Sequence, residues 1–384
     1  MYRIKTMNKI SPNGLARLDA ARYEVSDTFE NEQAILVRSA KMHDYAFPSD
    51  LLAIARAGAG VNNIPLDRCA EAGIAVFNTP GANANAVKEL AICALLLASR
   101  NIVGGVEWTK EQAKAGEDVA AVVEKGKAAF AGVEIMGKTL GVVGLGAIGI
   151  QVANAAVALG MKVVGYDPFL SVRAALTLDP KVSHAQDLDT LYAASDYLSL
   201  HLPMTPETRA SINADAFAKM KKGVRIINLA RGELVNNSDM KAALESGAVA
   251  SYVTDFPDSE ISLVPGVVPI PHLGASSEES EENCAVMAAE EIRDYLEHGN
   301  IVNSVNLPNL SMGWKTNARL CIISRKNPDL LQAITTSVPS ITAITSNERG
   351  EYLYLIADAN EISETVANEI AARDGILRVR LLRK

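Results

Sequence analysis

The sequence predicts an α/β protein in which two α/β sheets are followed by a small α+β module. A chain of 384 residues exceeds the size at which a single hydrophobic core stops growing, so several domains are expected. Short apolar runs rich in Val and Ile alternate with helical stretches, which is typical of βαβ units around a parallel sheet. From about Ala318 the order becomes strand, helix, two strands, helix and strand, with Gly350 turning the central hairpin.

Nine apolar runs are predicted as strands of the two α/β sheets, and turn residues separate them. Gly160 is predicted to end the helix that follows Ala147, while Ser238 begins a later helix and Gly247 ends it. Residues 303–312, with Pro308, are predicted to link the α/β part to the C-terminal module. The predicted strands are residues 34–37, 53–57, 74–77, 140–143, 162–166, 197–200, 225–229, 250–254 and 267–270.

Composition and charge exclude several classes of protein. The net charge of -8 disfavours general binding to nucleic-acid phosphates. The four cysteines form no CxxC pair, which indicates neither a disulfide framework nor a metal site and suits a reducing cytoplasm. No apolar run is long enough to span a bilayer, and no secretion signal is recognisable at the amino terminus. We therefore expect no metal, no nucleic acid and no membrane partner.

A glycine-rich motif predicts a dinucleotide site. Residues 139–149 read TLGVVGLGAIG, an apolar strand that runs through GxGxxG into a helix. Gly144 allows the tight turn, Gly146 lets the backbone approach a pyrophosphate, and Gly149 lets helix and strand pack closely. Asp167 ends the next strand, where a carboxylate binds the ribose hydroxyls and repels a 2′-phosphate. The motif predicts a Rossmann-type domain that binds NAD in preference to NADP.

Several residues that follow apolar strands could act as a base for a hydroxyl proton or as a cation for a carboxylate. His272 directly follows an apolar strand, where open α/β sheets place functional groups, and is the predicted base. Arg231 closes another apolar strand and is the predicted carboxylate ligand. His201 also follows a strand and is predicted to line the cofactor side. Asp255 and Glu260 follow a fourth strand, and either could orient an imidazole.

Several ordered motifs extend this pattern beyond the glycine loop. They are VRS at 37–39, RAGAGVNN at 56–63, NANAVKE at 83–89, NLARGE at 228–233 and PHLGAS at 271–276. Together with residues 139–149 they resemble the D-isomer-specific 2-hydroxyacid dehydrogenase family. The resemblance is greatest to members that oxidise 3-phosphoglycerate to 3-phosphohydroxypyruvate in serine biosynthesis, and it implies this activity here.

The resemblance also implies roles for individual residues. Arg231, Glu260 and His272 form the implied catalytic set, in which Glu260 holds the imidazole. The spacing to Glu260 is one residue longer than in many relatives, so Asp258 stays an alternative partner. Those relatives read Asp-Val-Phe where this chain reads Thr-Asp-Phe at 254–256, which leaves open the residue that meets the nicotinamide amide. The implied substrate contacts, besides Arg231, are Arg38 and Ser39 for the phosphate, and Ala59, Gly60, Val61 and Asn83 near the carboxylate. The implied cofactor contacts are Gly144, Gly146, Ala147, Ile148, Gly149, Asp167, His201, Pro203, Thr208, Ala230, Arg231, Asp255, His272 and Gly274.

The domain organisation follows from the same resemblance. Residues 1–95 and 276–308 form a flavodoxin-like substrate domain, into which the NAD domain of residues 96–275 is inserted. A linker of residues 309–317 leads to an ACT-like module at 318–384, where an amino acid such as serine is a predicted effector. Its first loop lacks the glycine usual after Pro328. A homodimer or homotetramer is implied, with contacts through the NAD domain and the helix at 89–100.

Two other functions fit part of this pattern. Another D-2-hydroxy acid, such as glycerate or lactate, could be the substrate if Arg38 binds no phosphate. A non-catalytic NAD-sensing interaction protein, similar to the C-terminal-binding-protein corepressors, would need the cofactor pocket alone. A complete set of arginine, carboxylate and histidine favours an enzyme, because a sensor needs no base near the nicotinamide.

Overall fold

The computed structural model describes residues 1–327, 329–338 and 340–384, so the prediction about the loop at Pro328 lies partly outside the described residues. The chain divides into two compact units. The first comprises Met1–Asn83 and Glu278–Lys384, and the second comprises Ala84–Ser277. The first unit is therefore built from two separate segments, between which the second is inserted.

A five-stranded parallel sheet forms the amino-terminal part of the first unit, in the order β2-β1-β3-β4-β5. This is the flavodoxin-like order. The sequence analysis missed β1 and β2, because Ile4 is the one fully buried residue of β1 and the strand lacks a continuous apolar run. The elements are β1 (Tyr2–Met7), α1 (Pro12–Leu15), β2 (Tyr23–Ser26), β3 (Ala34–Val37), β4 (Ala53–Arg56), α2 (Leu66–Glu71) and β5 (Ala75–Asn78).

A seven-stranded parallel sheet forms the second unit, in the order β12-β11-β10-β9-β6-β7-β8. Counted from β6 as the first strand, the order is 3-2-1-4-5-6-7, which is that of a Rossmann domain. The strands are β6 (Thr139–Val143), β7 (Lys162–Tyr166), β8 (Ser183–His184), β9 (Tyr197–Leu200), β10 (Val224–Asn228), β11 (Val249–Thr254) and β12 (Val267–Pro269). The helices are α3 (Ala84–Ser99), α4 (Ile102–Lys114), α5 (Val119–Gly126), α6 (Ala147–Ala158), α7 (Val172–Ala175), α8 (Leu188–Ala194), α9 (Ala214–Lys219) and α10 (Asn237–Glu245).

Three residues predicted to begin or end helices lie near the ends of α6 and α10. Gly160 and Gly247 follow α6 and α10 with φ values of 81° and 71°, as predicted for residues that end helices. The prediction for Ser238 is wrong, because α10 begins earlier. Asn236 caps it instead, and its side-chain oxygen accepts a hydrogen bond from the amide of Asp239.

Helices α4 and α5 form an arm of the second unit that contributes nothing to its core. Neither helix has a buried residue in the described chain. Trp108 of α4 packs against Phe130, which follows α5, with ring centroids 5.4 Å apart. Several apolar side chains on the arm and near its base are exposed, namely Leu96, Ile102, Val103, Val106, Val133 and Met136.

The C-terminal part of the first unit is a four-stranded antiparallel sheet in the order β14-β15-β13-β16. Together with the two parallel sheets, it confirms the predicted fold class. Helix α11 (Glu278–His298) precedes this module. The elements of the module are β13 (Ala318–Arg325), α12 (Leu330–Ser337), β14 (Ile341–Arg349), β15 (Tyr352–Ala359), α13 (Glu364–Ala371) and β16 (Ile376–Arg383).

Both faces of this sheet are covered. One face packs against α12 and α13, through residues such as Leu320, Ile334 and Ile370. The other shares a core with the five-stranded sheet and α11, in which Ile323 and Tyr354 join Tyr295. The module is thus an integral part of the first unit. The segment 303–312, predicted as a link to the module, is also packed. Leu307 is fully buried, and the side chain of Asn306 forms hydrogen bonds with the backbone of Ile74 and Val76.

Arginines of the module bind the last carbonyl groups of α11. Arg380 donates to the carbonyls of Tyr295 and Leu296 at 2.9 and 2.7 Å, and Arg319 donates to that of His298 at 2.8 Å. Cations at a helix C-terminus satisfy unpaired carbonyls and complement the helix dipole. Arg319 is itself fully buried and forms a two-bond ion pair with Asp358 of β15, at 2.7 and 2.9 Å.

All four cysteines carry free thiols. Cys69, Cys284 and Cys321 are buried, and Cys93 is exposed.

Among the described residues, no single helix has the length and apolar composition to cross a membrane. The bent pair of α3 and α4 meets both criteria when its two helices are taken together.

Candidate active site

The glycine motif connects β6 to α6 in the second unit. Gly144 has a φ of 93°, and a side chain there would collide with the carbonyl of His201. A side chain at Gly149 would overlap the carbonyl oxygen of Gly144. At Gly146, by contrast, a side chain would meet no atom within 4 Å. Gly146 is exposed and caps α6 without a side-chain hydrogen bond. The amides of Ala147 and Ile148 therefore begin a helix whose N-terminus suits a pyrophosphate.

Asp167 follows β7 beside this loop. Its Oδ2 accepts a hydrogen bond from the amide of Leu145 at 2.9 Å, and its Oδ1 accepts one from the amide of Phe169 at 2.8 Å. The carboxylate is thereby held against the glycine loop while it stays partly exposed. Each oxygen keeps further acceptor capacity, which ribose hydroxyl groups can use.

The loop after β9 contains three predicted cofactor residues. His201 accepts or donates a hydrogen bond with the hydroxyl of Ser199 at 2.9 Å. Burial lowers the pKa of His201 to about 4, which favours the neutral ring near pH 7. The hydroxyl of Thr208 donates to the carbonyl of Pro203 at 2.8 Å and thus closes this loop on itself.

Arg231 is exposed at the carboxyl end of β10, and a buried amide shapes its backbone. Asn228 donates from Nδ2 to the carbonyl of Arg231 at 2.9 Å and accepts at Oδ1 from the amide of Ala230 at 3.2 Å. The arginine donates to the carbonyl of Ala230 at 2.6 Å. Sequence reasoning missed the role of Asn228, although it lies in a recognised motif, because an amide gives no sign of which backbone groups it reaches.

His272 and Arg231 lie within electrostatic range of one buried carboxyl group, that of Asp255. Burial raises the pKa of Asp255, and the charges of His272 and Arg231 oppose that rise. Asp255 accepts a hydrogen bond from the amide of Gly274 at 3.1 Å, and its Oδ1 is buried without a partner in the described part of the chain. The exposed ring of His272 packs on Phe256, with centroids 4.6 Å apart.

Glu260 and Asp258 occupy a turn after β11. Asp258 accepts from the amides of Glu260 and Ile261 through Oδ1, at 2.8 and 2.9 Å, and from the side chain of Asn237 through Oδ2. The carboxylate of Asp258 is therefore engaged in shaping the turn. Glu260 is exposed, and within the described residues no hydrogen bond joins it to His272. The charge of His272 acts on buried Asp255 in this structure, and the predicted pairing of His272 with Glu260 stays a prediction.

The predicted phosphate residues lie in the first unit, directly after β3. Arg38 forms an ion pair with Glu281, the distance from Nη2 to Oε1 being 2.5 Å. Asn8 holds the following loop, since its side chain accepts from the amides of Ser39 and Ala40 at 3.0 and 2.8 Å. Asn8 itself has a φ of 73°, a conformation that asparagine tolerates.

The predicted carboxylate loop, residues 59–61, follows β4 and is at least partly exposed. Asn78 at the end of β5 donates to the carbonyl of Ala59 at 2.6 Å. The backbone amide of Asn78 donates to the carbonyl of Asn303 at 3.4 Å. Arg56, which sequence reasoning did not single out, donates to the carbonyl of Arg38 at 3.0 Å and so lies beside the predicted phosphate residue. Asn83 is the last residue of this segment of the first unit.

A buried glutamate on α11 binds Asn303, the residue whose carbonyl accepts from the backbone amide of Asn78. Glu291 is 9% exposed and accepts from the side chain of Asn303 at 2.8 Å, while its Oε2 is buried with no partner in the described chain. Asn303 has a φ of 59°. Burial raises the pKa of Glu291 to about 8, which the hydrogen bond from Asn303 partly offsets.

This raised pKa predicts a loss of stability as the pH rises. Unfolding would return Glu291 from a pKa of about 8 to its ordinary 4.5, so the folded state should lose stability between these two values and level off above them. We expect Glu291→Gln to flatten the dependence of the denaturant midpoint on pH across that range. Glu290→Gln, at an exposed neighbour, is the matched control. Parallel curves for Glu291→Gln and the unmodified protein would contradict the assignment.

Comparison with known proteins shows which proteins this chain is similar to. Residues 92–278 match the NAD-binding domain of the D-isomer specific 2-hydroxyacid dehydrogenases. A D-3-phosphoglycerate dehydrogenase of Synechocystis is 37% identical over 297 residues, which cover 75% of this chain and 51% of that protein. One from Bacillus subtilis is 32% identical over 326 residues, covering 80% of this chain and 59% of that protein. The chain thus spans about half the length of these relatives.

Solved structures give the same result for the fold. The NAD+-bound 3-phosphoglycerate dehydrogenase of Entamoeba histolytica is 27% identical with a TM-score of 0.62, and the match covers 80% of this chain and 99% of that one. A glyoxylate reductase from Paecilomyes thermophila is 27% identical with a TM-score of 0.65, over 79% of this chain and 98% of that one.

Proposed function

Because the chain carries the NAD-binding domain of the D-isomer specific 2-hydroxyacid dehydrogenase family, we propose that it oxidises 3-phosphoglycerate to 3-phosphohydroxypyruvate with NAD. The observation that carries the proposal is that the charges of His272 and Arg231 both act on buried Asp255, the three residues following strands of the sheet that also bears the glycine loop. Relatives that match over most of this chain are named for this activity.

The residues of the second unit divide the chemistry among them. His272, exposed on the ring of Phe256, accepts the proton of the C2 hydroxyl group. Arg231 binds the carboxylate and polarises the carbonyl group as it forms. Asp255 stays buried and hydrogen bonded to the amide of Gly274, where a negative charge would stabilise a protonated His272. NAD, when bound, supplies the acceptor for the hydride that leaves C2.

The cofactor itself fits the residues present. The open position at Gly146, the uncapped helix N-terminus and the carboxylate of Asp167 suit a pyrophosphate and a ribose with a free 2′-hydroxyl. In the proposed site Ala230, Pro203, Thr208 and Gly274 would complete the cofactor contacts.

Arg38 is the residue that distinguishes the phosphorylated substrate from glycerate or lactate. Arg38 and Arg56 lie side by side at the end of β3 and β4, and guanidinium groups suit a phosphate. The loop at 59–61 would supply backbone amides, and Ser39 would supply its hydroxyl group, since its amide donates to Asn8. Asn83 would contact the substrate carboxylate.

Formation of NADH by the purified protein tests this proposal. The panel contains 3-phosphoglycerate, glycerate and lactate at equal concentrations. A higher kcat/KM for 3-phosphoglycerate supports the proposed substrate, and a preference for an unphosphorylated acid would replace it. Tight binding of NADH without turnover of any acid would indicate a cofactor sensor instead.

Replacing Asp167 by alanine should weaken the discrimination between cofactors. The carboxylate favours ribose hydroxyls and repels a 2′-phosphate, so its loss should raise the KM for NAD and lower that for NADP. The ratio of kcat/KM for the two cofactors is the measurement. Asp179→Ala in the same unit serves as the control, since Asp179 takes part in a turn instead. An unchanged ratio would show that Asp167 does not read the ribose.

We also propose that two copies of the chain associate through the second unit. The exposed apolar side chains around α4 and α5, together with α3, form a surface that a second copy could cover. Sedimentation equilibrium distinguishes a monomer from a dimer or tetramer.

Four free thiols suit the reducing cytoplasm that we propose as the compartment. An amino-acid effector at the ACT-like module stays a prediction, which calorimetry with serine tests.

A further inference from the structure

We propose that Glu281 competes with the phosphate group of the substrate for Arg38 and so sets the affinity for phosphorylated hydroxy acids. The inference rests on the proposed function, because it concerns the residues assigned to the phosphate. Its starting point is the ion pair in which Glu281 Oε1 lies 2.5 Å from Arg38 Nη2. A carboxylate already holds the arginine to which a phosphate would bind.

The position of Glu281 on α11 is specific. The first turn of this helix carries three glutamates, at 278, 279 and 281, and in the described chain it is Glu281 that pairs with Arg38. Cys284, one turn further along, is buried, and both Arg38 and Arg56 act electrostatically on its thiol. This face of α11 therefore lies against both arginines.

The charges around Arg38 favour the binding of one anionic group over two. Arg56 donates to the carbonyl of Arg38, and a side chain at Gly58 would lie 2.5 Å from its guanidinium. The guanidinium of Arg56 thus lies between the backbone of Arg38 and the loop that leads to residues 59–61. A phosphate dianion bound here with Glu281 in place would face a like charge at close range, so Glu281 must leave Arg38 first.

Displacement of Glu281 is energetically feasible. The side chains of Arg38 and Glu281 are 41% and 44% exposed, and an exposed ion pair contributes little to stability. The phosphate, with two charges and several acceptor oxygens, forms stronger charge-assisted bonds than one carboxylate oxygen. A substrate without a phosphate leaves the ion pair intact.

The Glu281→Gln variant tests this competition. Removing the competing charge should lower the KM for 3-phosphoglycerate roughly two- to fivefold, the equivalent of one exposed ion pair, and leave the KM for glycerate unchanged. Calorimetric titration with inorganic phosphate in chloride buffer should show the same gain in affinity. Glutamine matches the size of glutamate at an exposed position, so circular dichroism should show an unaltered fold.

Glu279→Gln is the matched control, because it removes the same charge from the same turn of α11 without touching Arg38. It should change the affinity for inorganic phosphate less than Glu281→Gln does. A KM for 3-phosphoglycerate that rises or stays constant in Glu281→Gln, or equal effects of the two variants, would overturn the inference. If the unmodified enzyme turns over no phosphorylated acid, the proposed function fails, and the phosphate titration alone then decides whether Glu281 competes.

Discussion

Replacing His272 by asparagine should lower kcat about 10²- to 10⁴-fold, the usual contribution of a positioned general base. Asparagine can still form hydrogen bonds but cannot take up the proton of the C2 hydroxyl. Binding of NADH, followed by fluorescence titration, should change little by comparison. The loss should therefore lie in turnover.

His184→Asn provides a control for loss of an imidazole, because His184 is exposed on β8 and lies outside the proposed site. Its turnover should match that of the unmodified protein. The pH profile adds a second check: because burial lowers the pKa of His201 to about 4, we expect a limb of kcat/KM near neutral pH to come from another group. Near-normal turnover of His272→Asn would exclude His272 as the base.

Replacing Asp358 by alanine should reduce the free energy of unfolding by about 3–5 kcal/mol, since it leaves a buried charge without its partner. Arg319 is fully buried, and Asp358 accepts two of its hydrogen bonds. Urea denaturation followed by circular dichroism measures the change. We expect the loss to be visible in the unfolding of the whole first unit, because the module shares a core with it.

Two further variants separate the buried charge from a general effect of mutation. The double variant Arg319→Met/Asp358→Leu removes both charges and should be more stable than Asp358→Ala alone. Glu348→Ala breaks the exposed pair between Lys326 and Glu348 in the same module and should cost less than about 1 kcal/mol. Equal losses for Asp358→Ala and Glu348→Ala would show that burial of the pair contributes nothing.

Sequence reasoning predicted the central strands of the Rossmann sheet well because they are largely buried on both faces. The run at 197–200 coincides with β9, which is buried at every position, since such a parallel strand reads as a continuous apolar stretch. The same reasoning missed β1, in which charged residues alternate with apolar ones. The cap of α10 was misplaced because Asn236, Asn237 and Ser238 are all suitable cap residues.

Candidate site residues were predictable where a residue lies at the end of a strand, although their roles stay predictions. Gly144, Asp167, Arg231 and His272 are such residues. The supporting amides were not, because Asn8, Asn78 and Asn228 act on backbone groups that only the folded chain brings near. The local sequence also left open which carboxyl group serves His272, because it does not show that Asp255 is buried and Glu260 exposed.

The way the C-terminal sheet is enclosed bears on how this protein would respond to proteolysis. Lys315 is exposed in the segment before β13, where trypsin could cut. Arg380 and Arg319 would still donate hydrogen bonds to the last carbonyl groups of α11. The two fragments should therefore elute together in gel filtration and separate only in denaturant. A shortened gene ending before Ala318 would expose the apolar surface around Tyr295, and its product should aggregate.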